Sequence, residues 1–220
     1  HIKCWKRYID DIFLIWEGSI PDLTRFVDHL HIKQPYLQFT VNHSKDSIPF
    51  LDLLIRQQDK KLYTTLYTKP TDRNTLLQYR SFHPRSLRDG LPYGQFLRIR
   101  RNCVLKTDYF REANTLKDKL ILRGYPKRLV SRSLKRAWFS PREVLLTKQD
   151  KTKDPDRPIC VTTFNPISNK MTTIIKKHWH LLRELGIGGD APLFSFRKGK
   201  NIKDHIVRSS TPHSDRRRTI

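Results

Sequence analysis

The sequence predicts a mixed chain of the α/β (α+β) class, with strands first, a bundle of basic helices next and a small α/β segment at the end. Three observations predict it. From Lys61 to Thr68 the side chains alternate, Leu62, Thr64, Leu66 and Thr68 against Tyr63, Thr65 and Tyr67, which is the period of a half-buried strand. From Leu91 onward the period becomes helical, with Phe96, Ile99 and Cys103 recurring on one face. Charge is also split unevenly: residues 1–60 hold eight Lys or Arg and eight Asp or Glu, so the whole surplus of +23 lies in residues 61–220.

Taken in order, Lys6–Trp16 (KRYIDDIFLIW) reads as a hairpin, aromatic and β-branched residues flanking a bend at Asp10-Asp11. Pro21 opens a helix capped by Ser19, with Leu23, Phe26, Val27 and Leu30 on one face. Strands are expected at Leu37–Val41 and Phe50–Arg56, separated by a polar loop around Asn42–Ser47, and then at Lys61–Thr68, which Lys69-Pro70 ends. A helix follows from Leu91. The next is expected from Asp108 as N-cap, with Phe110, Ala113, Leu116 and Leu120 inward. Gly124 closes it in a left-handed cap and Pro126 starts a third. That third helix turns Leu129, Val130, Leu134 and Ala137 inward and its Lys and Arg residues outward. Lys148–Pro158 has a linker's composition, charged and proline-containing. Beyond it come a strand at Ile159–Phe164, a helix at Thr172–Leu185 stopped by Gly186, a strand at Leu193–Phe196 and a helix at Asn201–Val207. Ser209–Ile220 reads as a disordered basic tail.

The 220 residues carry 44 Lys and Arg against 21 Asp and Glu. So large a surplus repels itself in a compact state and calls for an anionic partner. Residues 80–136 alone hold 16 basic and 4 acidic side chains. Solvated helix faces would interleave acids at helical spacing, so phosphate binding is the better reading. The longest purely apolar run, Ile12–Trp16, is far too short to span a bilayer, and residues 1–16 do not read as a signal peptide. Cys4, Cys103 and Cys160 are too scattered for a disulfide framework or a zinc ribbon, which points to a reducing compartment, cytosol or nucleus; an intracellular, nuclear location is expected. The pairs His29/His31 and His178/His180 lie in helical contexts, where alternate residues do not share a face, so they do not suggest a metal site.

The adjacent acids Asp10 and Asp11 admit two readings. Asp is a favoured turn residue, and a bend needs nothing more. A pair of carboxylates at the bend of an apolar hairpin also suits a divalent cation of the kind used in phosphoryl transfer. The context Tyr8-Ile9-Asp10-Asp11 resembles the Tyr-x-Asp-Asp hairpin of reverse transcriptase palms. The blocks FLDLLI (Phe50–Ile55), TLYTKPTDRNTLLQYRSFHP (Thr65–Pro84) and LPYGQFLRIRRNC (Leu91–Cys103) are similar to Penelope-like retroelement reverse transcriptases, and the resemblance runs to about Ser209.

That resemblance implies a partial palm over residues 1–75, a basic helical thumb over 80–140, a small α/β segment over 158–208 and a tail over 209–220. It implies that Asp10 and Asp11 are catalytic metal ligands for Mg2+ (or Mn2+), with Tyr8 beside them, and that the thumb grips duplex. The family's other metal-binding aspartate and its fingers precede the hairpin, so this chain alone is expected to be inactive. A downstream GIY-YIG endonuclease is also absent from the pattern, since Gly186–Gly189 lacks the tyrosines and reads as a helix stop. The residues expected on phosphates are Arg98, Arg100, Arg101, Lys127, Arg128, Arg132, Lys135 and Arg136, which position without reading sequence. Arg73 and Asn74 line the duplex or simply shape a turn. The competing reading makes residues 84–138 a helix-turn-helix module, with the Pro126–Trp138 helix on DNA and no catalysis; a degenerate relic of the element is a third. The shared expectation is salt-sensitive, largely sequence-independent binding to RNA–DNA or DNA duplex.

Overall fold

A computed structural model describes residues 1–34, 36–147, 157–186 and 189–197, together with 199 and 206. Among these the chain is mixed α and β, with seven helices and seven strands. It divides into two compact units, one made of His1–Ser81 and Arg85–Lys148, the other of Phe82–Pro84 and Gln149–Ile220.

The first unit opens with a hairpin of β1 (Ile2–Tyr8) and β2 (Asp11–Trp16), joined by the two-residue turn Ile9-Asp10. Helix α1 (Ile20–Lys33) packs its Phe26 ring against Trp5 and Trp16 of that hairpin. Ser19 caps it, its hydroxyl accepting from the Asp22 amide at 3.3 Å. An antiparallel meander follows: β3 (Ser47–Phe50), β4 (Leu53–Gln58) and β5 (Lys61–Leu66). Its second turn, Asp59-Lys60, has both residues in the left-handed region (φ 50 and 59), as hairpins with matched twist require.

Two strand expectations are corrected here. Leu37–Val41 forms no strand: the Phe39 amide donates to the His31 imidazole at 2.9 Å, and both Leu37 and Val41 face solvent. Extended, β-prone residues become a strand only where a partner edge is offered, and among the described residues none pairs with this segment. The single strand expected over Phe50–Arg56 is two strands bent at Leu51-Asp52. Leu51 has φ 53, a position glycine usually fills, and its side chain disguised the turn as an apolar run.

The helical part consists of α2 (Arg85–Asn102), α3 (Lys106–Leu122), α4 (Lys127–Trp138) and the short α5 (Arg142–Leu146), which the periodicity did not announce. Helix α2 begins six residues before the expected Leu91 and contains Pro92, whose missing amide costs a helix interior about 3 kcal/mol. Pro92 is fully buried. Asp108 is not the cap of α3, for Leu105 occupies that position. Instead the Asp108 carboxylate is buried inside the first turn, paired with Arg56 of β4 and with Arg111 at 2.8 Å. Two guanidinium partners held it in the interior, where a cap would have left it wet.

The core of this unit lies among the helices: Phe96 and Ile99 of α2, Tyr109, Ala113, Leu116 and Leu120 of α3, and Val130 and Ala137 of α4, with Cys103 and Tyr125 between them. Strand β5 is tied to it where α2 ends. The Thr64 hydroxyl donates to the Asn102 carbonyl at 2.7 Å and the Val104 amide to the Thr64 carbonyl at 3.0 Å.

In the second unit β6 (Ile159–Thr163) pairs in parallel with β7 (Leu193–Arg197). Between them, the helix expected over Thr172–Leu185 starts earlier and is two helices, α6 (Ser168–Lys177) and α7 (Trp179–Glu184), broken at His178. Asn165 sets the early start, its side-chain oxygen accepting from the Ile167 and Ser168 amides at 2.7 and 3.1 Å. Gly186 has φ 74, the left-handed stop that its type predicts. The linker up to Asp156, most of the helix expected over Asn201–Val207 and the tail over Ser209–Ile220 lie outside the described residues.

Two outcomes follow from this core. Phe96 is wholly buried, so Phe96→Ala is expected to cost about 3–5 kcal/mol in urea unfolding. Burial pushes the Tyr109 phenol up to about 12, while its hydroxyl donates to the Leu134 carbonyl at 3.2 Å. The unfolded phenol ionises near pH ~10, so above that the unfolded chain binds fewer protons and stability falls as pH rises toward 12. Tyr125, raised by burial, and Tyr79, raised by its hydrogen bond to Asp89, add slope of the same sign. Tyr109→Phe is therefore expected to flatten part of the alkaline fall in urea midpoint, at about 1 kcal/mol of neutral-pH stability.

Candidate nucleic-acid interface

Helix α4 reads KRLVSRSLKRAW, five cations and no acid in twelve residues. Its neighbours decide which of those cations are free. The turn that delivers it is a complete left-handed cap on α3: the Gly124 amide donates to Ile121 at 2.9 Å and the Tyr125 amide to Leu120 at 3.2 Å. Gly124 takes φ 81, which its lack of a Cβ allows, and Tyr125 buries itself beside Leu120. Pro126 then takes the N-cap position of α4. Local sequence alone thus forces a four-residue connection, Arg123–Pro126, between two helices.

Once delivered, α4 buries Val130, Ser133 and Ala137, spaced three and four apart along one face. At about 100° per residue, the opposite face carries Arg128, Arg132 and Lys135, with Lys127 and Ser131 at its edge. All five are exposed, and among the described residues the four cations have no acidic or hydrogen-bonding partner.

The other expected contacts are placed differently. Arg136 lies over the Tyr93 ring of α2 at 4.2 Å, and Arg100 over Trp138 of α4 at 4.8 Å, each locking the two helices together. The Arg100 Nε is buried without a hydrogen-bond partner. Arg101 donates through Nε to the Leu145 carbonyl at 3.1 Å, which holds α5 against α2. Arg98 pairs with Asp52 at 2.6 Å.

Arg98 also borders a cleft of about 540 Å³ between the β3–β4 turn, α2, α3 and the segment from Tyr67 to Leu76. Arg73 and Asn74 line the same cleft. Arg73 is exposed, whereas Asn74 fixes the wall, its side-chain amide donating to the Lys119 carbonyl at 3.0 Å. Lys69 and Lys119 join them there, and Lys119 is paired with Asp72 at 3.1 Å. The sequence gives no cue for Lys69 or Lys119, because they meet only across 50 residues of chain.

Asp10 and Asp11 sit at the exposed end of the first hairpin, Asp10 in the turn and Asp11 facing Tyr8 across the ladder. Asp11, Tyr8, Leu51, Asp52, Tyr67 and Lys69 surround a shallow opening. Ile9 takes φ 54, an unfavourable conformation for a β-branched residue. A hard divalent cation takes six or more oxygens, and Mg2+ commonly draws most of them from water and phosphate around one or two carboxylates. Asp10 and Asp11 would offer two such carboxylates, whereas the nearby Asp52 is paired with Arg98. Among the described residues no cluster of three or more His, Cys, Asp or Glu stands in metal-binding arrangement. No helix among them is long and apolar enough to cross a membrane.

No curated protein and no solved structure matches this chain. Residues 75–135, which span α2, α3, their connecting turn and most of α4, are similar to the animal helix-turn-helix domain.

Proposed function

We propose that the helical part of this chain is a nucleic-acid-binding helix-turn-helix module in which α4 lies against duplex. The observation that carries it is the outward face of α4: Lys127, Arg128, Arg132 and Lys135 stand free on one side of a helix whose other side is fixed to the core. In such modules the helix after the turn enters the major groove or rides along the backbone. Four unneutralised cations on one helix face repel one another, and a row of phosphates relieves that repulsion while releasing counterions. The similarity of residues 75–135 to a helix-turn-helix domain supports the same reading. The partner is duplex nucleic acid, DNA or RNA–DNA, held mainly through phosphates.

A second reading retains the resemblance to Penelope-like reverse transcriptases, with the helices as a thumb and the first hairpin as part of a palm. The observation that favours it is the bend itself. Ile9 is held in a conformation costing about 1–3 kcal/mol, and that turn presents Asp10 and Asp11 together at an exposed tip. Under this reading a further carboxylate from elsewhere completes the metal site in the intact enzyme. Both readings share α4 as the duplex-binding element and differ only in what the two acids do.

Anisotropy titration of a labelled duplex at several salt concentrations tests the first reading. Each phosphate contact contributes about 0.9 to the slope of log K against log salt. Replacing Lys127, Arg128, Arg132 and Lys135 by Ala is expected to remove roughly three to four units of slope, with the circular dichroism spectrum unchanged. Salt-insensitive binding by the unaltered chain, or an unchanged slope in the variant, would sink the reading. Asp10→Asn and Asp11→Asn are expected to leave duplex affinity within about twofold, since neither acid touches α4. The chain alone is expected to extend no primer. Metal-dependent nucleotide incorporation that disappears in Asp10→Asn would reverse that expectation and place the second reading first.

A further inference from the structure

The outward stripe of α4 does not end in a cation. Arg128, Arg132, Lys135 and Phe139 lie four, three and four residues apart, and at about 100° per residue they fall within an arc of about 60°. Phe139 is the C-cap of α4 and retains helical backbone angles, φ −76 and ψ −5, so its position continues the stripe. Its side chain is 69% exposed and stacks on no other ring among the described residues. Within Arg85–Thr147 it is the sole exposed aromatic, whereas Tyr93, Phe96, Tyr109, Phe110, Tyr125 and Trp138 are all packed.

An exposed phenyl ring at the end of a row of phosphate-binding cations has a specific use. Phosphates satisfy the cations along the backbone, and a flat apolar face then meets whatever the strand presents at the next position. In a continuous duplex the bases are stacked on one another and give that ring nothing. An unpaired base has a free π-face, which an aromatic side chain covers with little dependence on sequence. Helix rise puts Arg128 and Phe139 about 16 Å apart along the axis, the reach of a few nucleotides.

Resting on the reading of α4 as a duplex-binding helix, we infer that Phe139 is a base-stacking platform and that the preferred ligand is a duplex continuing into an unpaired strand. The cations hold the paired portion and the ring holds the first unpaired base beyond it. Ser131, at the edge of the same stripe, is small enough to let the backbone approach closely.

The test uses the full chain and two ligands, a blunt duplex and the same duplex with a short unpaired tail carrying 2-aminopurine at the junction. The unaltered chain is expected to bind the tailed duplex about tenfold more tightly, within the range of one base–aromatic stack, and to change the probe's fluorescence on binding. Phe139→Ala is expected to abolish both the preference and the fluorescence change while leaving blunt-duplex affinity and its salt slope intact. Phe139→Trp is expected to retain them. Blunt-duplex binding without tail preference, or a preference that survives Phe139→Ala, overturns this inference alone. Binding to neither ligand overturns the helix-turn-helix reading and this inference with it. A Phe139→Ala variant that changes sedimentation behaviour but not tail preference shows the ring to be a protein contact, and also overturns it.

Discussion

The burial of three small side chains, Val130, Ser133 and Ala137, holds α4 in place against the core. Small residues let α4 settle close to α2, and the close approach brings Arg136 over Tyr93 and Arg100 over Trp138. Those two stacked guanidinium groups act as latches, because each is attracted to the negative face of a ring on the neighbouring helix. With one face fixed in this way, the opposite face has no rotational freedom. Its cations project outward from a helix whose orientation is fixed.

The same core is coupled to the strands through one buried charge. Asp108 is 2% exposed and is shared by Arg56 from β4 and Arg111 from its own helix. A buried carboxylate is costly alone and tolerable when its oxygens are paired. The pairing therefore fixes the position of the meander relative to α3, and with it the cleft that Arg73, Asn74, Lys69 and Lys119 border. In that cleft the charges largely cancel in pairs, Arg98 with Asp52 and Lys119 with Asp72, so it lacks the uncompensated field of α4. This contrast is what favours α4 over the cleft in the proposed reading.

The bend at Ile9-Asp10 is open to both readings because chemistry at a tip depends on what faces it. Two carboxylates on an exposed turn are well solvated and need no compensation. A divalent cation there would draw its remaining oxygens from water, phosphate or a further carboxylate, and Asp52, the other acid lining the same opening, is paired with Arg98. The proposed palm reading rests on the resemblance of the surrounding blocks alone, whereas the similarity over residues 75–135 concerns the helices. The two are compatible, since a thumb and a helix-turn-helix module ask the same thing of α4.

What the sequence determined by itself were the features governed by neighbours in the chain. Gly124 and Pro126 set the turn, Ser19 the cap of α1, and the spacing of Val130 and Ala137 the inward face of α4. Charge counting located the basic surplus on the helical part, residues 80–136. What only the tertiary structure decided were matters of pairing. Leu37–Val41 has strand-forming side chains but no edge to pair with. Asp108 has a capping side chain but two arginines that draw it inside. Arg98, Arg100, Arg101 and Arg136 look in sequence like the cations of α4's outer face, yet they are committed to Asp52, Trp138, Leu145 and Tyr93. A cation's availability depends on partners far away in the chain, and composition carries no record of them. Phe139 makes the same point from the other side: its place in the stripe is written in its spacing, but that its ring stands uncovered is a property of the folded molecule.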